Sequence, residues 1–206
     1  MAEDYRVDGL RYDMTLYMRQ VRGDGDPGCE LPDGWNLAQW INREIKEKFP
    51  GRITIAEDLQ NNPWLTQDPD VGGAGFGTQW DAAFVHPIQA AVNVPSDEQR
   101  NMWSVRNAIS QCYNGDAFQR VVYSESHDEV ANGKARVPSE IDPAEARSWY
   151  AKKRTTLATG LVFTAPGIPM LFQGQEFLQK GWFQDTDPLD WSLREMHDGI
   201  VLFGVN

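Results

Sequence analysis

Five short apolar runs, separated by loops and helix-period segments, limit how this chain can fold. They cover residues 6–13, 52–57, 79–85, 119–125 and 169–173. The run 52–57 carries Ile53, Thr54 and Ile55 and the run 119–125 carries Val121, Val122 and Tyr123, the residue types of strands buried on both faces. Between the first two runs, "WNLAQWINREIKEKF" sets Leu37, Trp40, Ile41 and Ile45 on one helical stripe. Ser96 with Gln99 forms a capping-box pattern ahead of Met102, Val105, Ile109 and Cys112. Asp142-Pro143 followed by Glu145 reads as the start of a helix through "ARSWYAKKRTTLATGLVF". Strand and helix therefore alternate, which predicts an α/β domain with a parallel sheet. At 206 residues, 41% hydrophobic, the chain can bury the core of one domain.

Polar side chains collect at the C-terminal ends of these runs: Arg11 and Asp13, Glu57 and Asp58, His127 and Asp128, Gln175 and Glu176. In a β/α barrel that end is where active sites are built. "VDGLRYDMT" is the most telling of the four. Arg11 and Asp13 stand two apart, so on a strand they leave the same face, and the guanidinium favours the ionised carboxylate. A single strand-end acid often serves only as a helix cap or a partner for a base. Three of them, each beside a second polar group, suit glycoside cleavage, where one carboxyl gives a proton to the leaving oxygen and another attacks the sugar.

The formal net charge of −11, spread along the chain, argues against nucleic acid and anionic membrane surfaces as partners. No apolar run reaches membrane-spanning length. "MAEDYR" lacks the pattern of a signal peptide, so a cytoplasmic location is expected. Cys29 and Cys112 have no metal-ligand spacing and are expected to be free thiols. Neither a metal-ligand set nor a cofactor motif is read.

"VDGLRYD", "ITIAED" and "SESHDEV", in this order, resemble three signature regions of the α-amylase family, glycoside hydrolase family 13. "PGIPMLFQGQEF" with "GWF" and "PLDW" resembles the segment that follows. The likeness runs from about residue 5 to residue 192. It implies a retaining mechanism acting on α-1,4-glucans such as starch or glycogen. By position, Asp13 matches the nucleophile, Glu57 the general acid/base and Asp128 the third acid that stabilises the transition state. Arg11 matches the arginine that keeps the nucleophile ionised. His127 matches a histidine that hydrogen-bonds the sugar. Within the family, "SHDEV" with the Gly133-Lys134 pair, and "GQEF" before "PLDW", are most similar to glucan branching enzymes. The other reading is an α-amylase-type hydrolase, and the two differ in whether a sugar hydroxyl or water attacks the intermediate. A third is a catalytically incomplete half-barrel that only binds carbohydrate.

Trp64, Trp182 and Phe183 lie in loops after strand ends, where they would either stack on sugar rings or pack in the loop. Tyr17 would line the site or pack beneath the following loop. His86 and His197 read as structural residues, and Asp58 as a strand-end contact. The resemblance also implies what lies outside residues 1–206. The family's first signature region, with its Asn-His pair, is absent, and a calcium site common in the family draws on that part. The chain reads as a partial TIM (β/α)8 barrel truncated at both ends, with five strand–helix units corresponding to strands 4–8. Unpaired sheet edges would then favour a homo-oligomer.

Overall fold

The computed structural model describes residues 4–24 and 26–196. Five strands form one sheet in the order β1-β2-β3-β4-β5. They are β1 (Gly9–Tyr12), β2 (Ile53–Ala56), β3 (Thr78–Trp80), β4 (Arg120–Val122) and β5 (Ile168–Pro169). Sequence order equals spatial order, and β1–β2, β2–β3 and β3–β4 pair in parallel. The fold is a partial (β/α)8 barrel, as the alternation of strands and helices implies. The chain divides into two compact units, Met1–Ala82 with Gln111–Val121, and Ala83–Ser110 with Val122–Asn206.

In the first unit, β1 and β2 run in register from Gly9 opposite Ile53 to Tyr12 opposite Ala56. The glycine that opens β1 is required by this close approach. A Cβ there would lie 2.5 Å from Ile53 Cγ2 and 2.7 Å from the Ile53 carbonyl oxygen. After β1 come α1 (Thr15–Arg19) and α2 (Pro32–Lys48). Pro32 opens α2 at a position where its missing N–H costs no helical bond. Ala38 packs into a small core with Ala56, Leu65, Ala74 and Phe76. Deeper in the same unit, Arg120 Nη1 and Asp81 Oδ2 form a fully buried ion pair at 2.9 Å, and Tyr113 Oη donates to Asp81 Oδ1 at 3.0 Å. Burial and the Asp81 charge push the Tyr113 phenol well above its ordinary pKa.

The second unit packs α3 (Ala82–Asn93), α4 (Met102–Ser110), α5 (Val137–Ile141) and α6 (Trp149–Thr164). Its core joins Phe84, Ile88 and Val92 of α3 to Val105 of α4, Val122 of β4, Val137 of α5, and Ala158 and Val162 of α6. Met170 N–H donates to Val122 O at 3.0 Å beside β5.

Several expected boundaries are corrected. The run 79–85 ends as a strand at Trp80, and a helix begins at Ala82. Phe84, Ile88 and Val92 recur every four residues and are all buried, so the helical period won over the short alternation Trp80–Ala82–Phe84. The run 169–173 is strand only at Ile168–Pro169. The helix expected from Asp142-Pro143 starts at Trp149 instead, where Ser148 Oγ accepts the Ala151 N–H at 3.2 Å. Asp142 caps only a turn, taking the Glu145 N–H at 3.0 Å. Ser96 makes no capping bond to backbone; α4 begins at Met102, and Asn101 Oδ1 accepts the Ser104 N–H at 3.1 Å. Cys29 and Cys112 are free thiols. His197 lies outside the described residues.

Candidate active site

Asp13 and Glu57 follow the last residues of neighbouring parallel strands, so the sheet itself brings them side by side. One carboxylate oxygen of each lies within 4.8 Å of the other's. Arg11 joins them. Its Nη1 is 2.8 Å from Asp13 Oδ1 and its Nη2 is 2.5 Å from Glu57 Oε2. The guanidinium lies over the Trp80 ring, 4.5 Å from the centroid, a cation–π contact that fixes its plane.

The turn after β1 completes the arrangement. Met14 takes a left-handed conformation, φ 44° and ψ 48°, uncommon for a residue with a side chain. In this turn the Met14 N–H donates to Glu57 Oε2 at 2.9 Å, and the next N–H, of Thr15, donates to the Glu57 carbonyl at 2.8 Å. Backbone strain of this kind persists where surrounding bonds over-determine it.

The two carboxyls occupy different environments. The Asp13 side chain is 71% exposed, whereas that of Glu57 is 2% exposed. Burial raises the Glu57 pKa above the ordinary carboxylate value, against the opposing pull of the Met14 N–H and the Arg11 guanidinium. Both of those donors act on Oε2. Glu57 Oε1 is buried and has no hydrogen-bond partner among the described residues. A carboxyl with one saturated and one bare oxygen, and a raised pKa, is suited to carry a proton on the bare oxygen and give it up.

Next along the chain, Asp58 is a partner rather than a reacting group. Its two oxygens accept from Arg19 Nε and Nη2 at 2.8 and 2.9 Å, and both side chains are buried. Arg19 also reaches Glu30 Oε1 at 2.6 Å. No spacing rule links Arg19 to Asp58, so this pair was invisible in the sequence.

In the second unit, His127 and Asp128 follow β4, with His127 Nε2 3.4 Å from Asp128 Oδ2 and both side chains partly exposed. Glu129 beside them is held by His86 Nε2 at 3.0 Å and Lys134 Nζ at 2.9 Å, which lowers its pKa to about 2. His86 thus has a structural partner. Glu125 is fully buried, accepts the Val137 N–H at 2.8 Å and faces Arg136 at 3.3 Å. Burial nevertheless raises it to about 7.

Three aromatic residues remain. Trp64 is exposed on the turn Pro63–Leu65. Trp182 is exposed beside Phe183, whose ring meets Phe172 edge-on at 5.1 Å. Tyr17 lies on the loop that follows it, because a Cβ on Gly23 would come within 2.7 Å of its ring.

Comparison with known proteins bears on the fold and on the chain's relatives. No family model matches the chain. The strand order and the parallel pairing define a partial (β/α)8 barrel. The chain is 31% identical over 96% of its length to the 1,4-alpha-glucan branching enzyme GlgB of Prochlorococcus marinus (strain MIT 9211). It is 28% identical over 96% of its length to the GlgB of Marinobacter nauticus. It spans 27% and 32% of the lengths of those two relatives. Among solved structures, the pullulanase of Anoxybacillus sp. LM18-11 shares the fold with a TM-score of 0.66 at 21% identity, over 98% of this chain and 30% of that one. The alpha-amylase of Geobacillus thermoleovorans does so with a TM-score of 0.61 at 19% identity, over 89% of this chain and 35% of that one.

Proposed function

We propose that this chain carries the reacting carboxyls of a retaining double displacement on α-1,4-glucans, of the branching-enzyme kind. The observation that carries the reading is the Asp13–Glu57 pair: carboxylate oxygens within 4.8 Å, bridged by Arg11, one side chain exposed and one buried. Retaining glycosidases use carboxyls about 5–5.5 Å apart, whereas inverting ones leave room for a water between them. The branching enzymes among the relatives favour transfer to a sugar hydroxyl over hydrolysis.

In this mechanism Asp13 attacks the anomeric carbon as the glycosidic bond breaks. Glu57 protonates the departing oxygen. A covalent glycosyl ester on Asp13 results. Glu57, now a carboxylate, takes the proton of an acceptor hydroxyl, whose oxygen attacks the anomeric carbon and releases Asp13. Arg11 keeps Asp13 ionised and holds Glu57 Oε2 in place. For Asp128 and His127 the roles are carried over from the resemblance: Asp128 gripping sugar hydroxyls and His127 donating to the sugar.

Incubation with amylose tests this. Falling iodine absorbance without new reducing ends is the expected result. Rising reducing ends would assign hydrolysis instead. No change in either would mark the chain as an inactive fragment and overturn the proposal.

A further inference from the structure

A cavity in the first unit, of about 330 Å³, lies apart from the carboxylate pair. Its apolar wall is made by Leu31, Pro32, Trp35 and Trp64, and its polar rim by Glu30, Asn36 and Asn62.

The Trp35 indole and the Trp64 backbone are held in place. The Trp35 indole N–H donates to the Gly72 carbonyl at 3.1 Å. The Trp64 backbone is fixed on both sides: its N–H is capped by Asn62 Oδ1 at 3.0 Å, and its carbonyl accepts the Ala74 N–H at 2.9 Å. Trp64 nevertheless stays 51% exposed. An open aromatic side chain on a pinned backbone loses little freedom on binding.

The lining selects the ligand. Among the described residues no cation lines the cavity, so an anion has no charged partner there. Glu30 is tied back by Arg19 at 2.6 Å and Gln20 at 2.7 Å through Oε1, and it shares the Arg19 charge with Asp58. What fits is a neutral ligand with an apolar face for an indole and hydroxyls for amide and carboxylate groups, the two-sided character of a pyranose.

The cavity also shares its frame with the general acid. Glu30 bonds Arg19, Arg19 clamps Asp58, and Asp58 follows Glu57 directly. The Leu31 N–H donates to the Arg19 carbonyl at 2.6 Å.

We propose that Trp35 and Trp64 form a platform that holds a glucosyl unit of an α-1,4-glucan chain beside, not within, the carboxylate site. The proposal rests on the α-glucan reading of that site for its choice of sugar. Trp35 was not among the residues singled out in the sequence, because its apolar position at the start of a helix resembles ordinary packing.

The test is a titration of the 206-residue chain with maltoheptaose, read at the indole N–H signals by NMR and assigned with Trp35→Phe and Trp64→Phe. The Trp35 and Trp64 signals are expected to shift together and saturate. In Trp64→Ala, binding read at Trp35 should weaken about tenfold, and in Trp64→Phe by less. Two still signals would overturn the platform, and equal shifts with cellohexaose would overturn its assignment to α-linked glucan. Glu57→Gln separates the two readings. Unchanged turnover in that variant would sink the catalytic proposal while leaving the indole response intact.

Discussion

Arg11 Nη2 lies 2.5 Å from Glu57 Oε2, across two paired strands. The arginine that pairs with Asp13, the proposed nucleophile, therefore also bears on Glu57, the proposed acid. Its charge lowers the Glu57 pKa, and burial raises it more. Without the guanidinium, burial would be opposed only by the Met14 N–H, and the Glu57 pKa would rise further.

Arg11→Met should therefore lower turnover on amylose by about 10²-fold, the scale of losing one preorganised charged donor. It should also move the alkaline limb of the pH–rate profile upward, because Glu57 then keeps its proton to higher pH. Arg11→Lys should restore part of the rate and part of the limb. A profile that keeps its limbs in Arg11→Met would refute the link to Glu57.

Asp13→Asn should lower turnover by several orders of magnitude with little change in the urea midpoint. Asp13 is exposed, so its ion pair with Arg11 contributes little to stability. An unfolded Asp13→Asn chain would make that pair structural rather than catalytic.

Arg19 and Asp58 should behave in the opposite way. Both are buried and bonded through two N–H donors. Asp58→Asn should destabilise by about 3–5 kcal/mol by leaving the Arg19 charge buried and under-compensated. The double variant Arg19→Met, Asp58→Leu should recover much of this in urea denaturation. Additive losses would show that the pair is not coupled.

Two glutamates of the second unit should give opposite pH dependences of stability. Glu125 is raised from 4.5 to about 7, so the folded state binds more protons than the unfolded state between those values, and stability falls as pH rises through them. Glu125→Gln should remove that slope. Glu129 is lowered from 4.5 to about 2, so its contribution is present above 4.5 and is lost as pH falls toward 2. Urea midpoints measured from pH 3 to pH 8 check both.

Self-association is also expected. β1 and β5 end the strand order, and Trp149, Tyr150, Leu157 and Phe163 of α6 are exposed. Unpaired strand edges and exposed apolar side chains favour pairing with a second copy. Light scattering should show a mass that grows with concentration. A monodisperse monomer that binds no hydrophobic dye would contradict this.

The sequence by itself determined the α/β alternation and the parallel type of sheet, because the apolar runs and helix-period stripes are local patterns. It also put Arg11 with Asp13, two residues apart, and located Glu57 at the end of its own strand. Tertiary structure decided what local spacing does not encode. The end of the strand at Trp80 depended on Phe84, Ile88 and Val92 finding a core with α4 and α6. The second partner of Arg11 lies 46 positions along the chain, and the partner of Arg19 lies 39 along; only the β1–β2 pairing and the packing of α1 bring them within reach. The bare oxygen of Glu57 is likewise a property of its surroundings. Which of its two oxygens is left to hold a proton is set by the turn at Met14 and the reach of Arg11, and neither is written in "ITIAED".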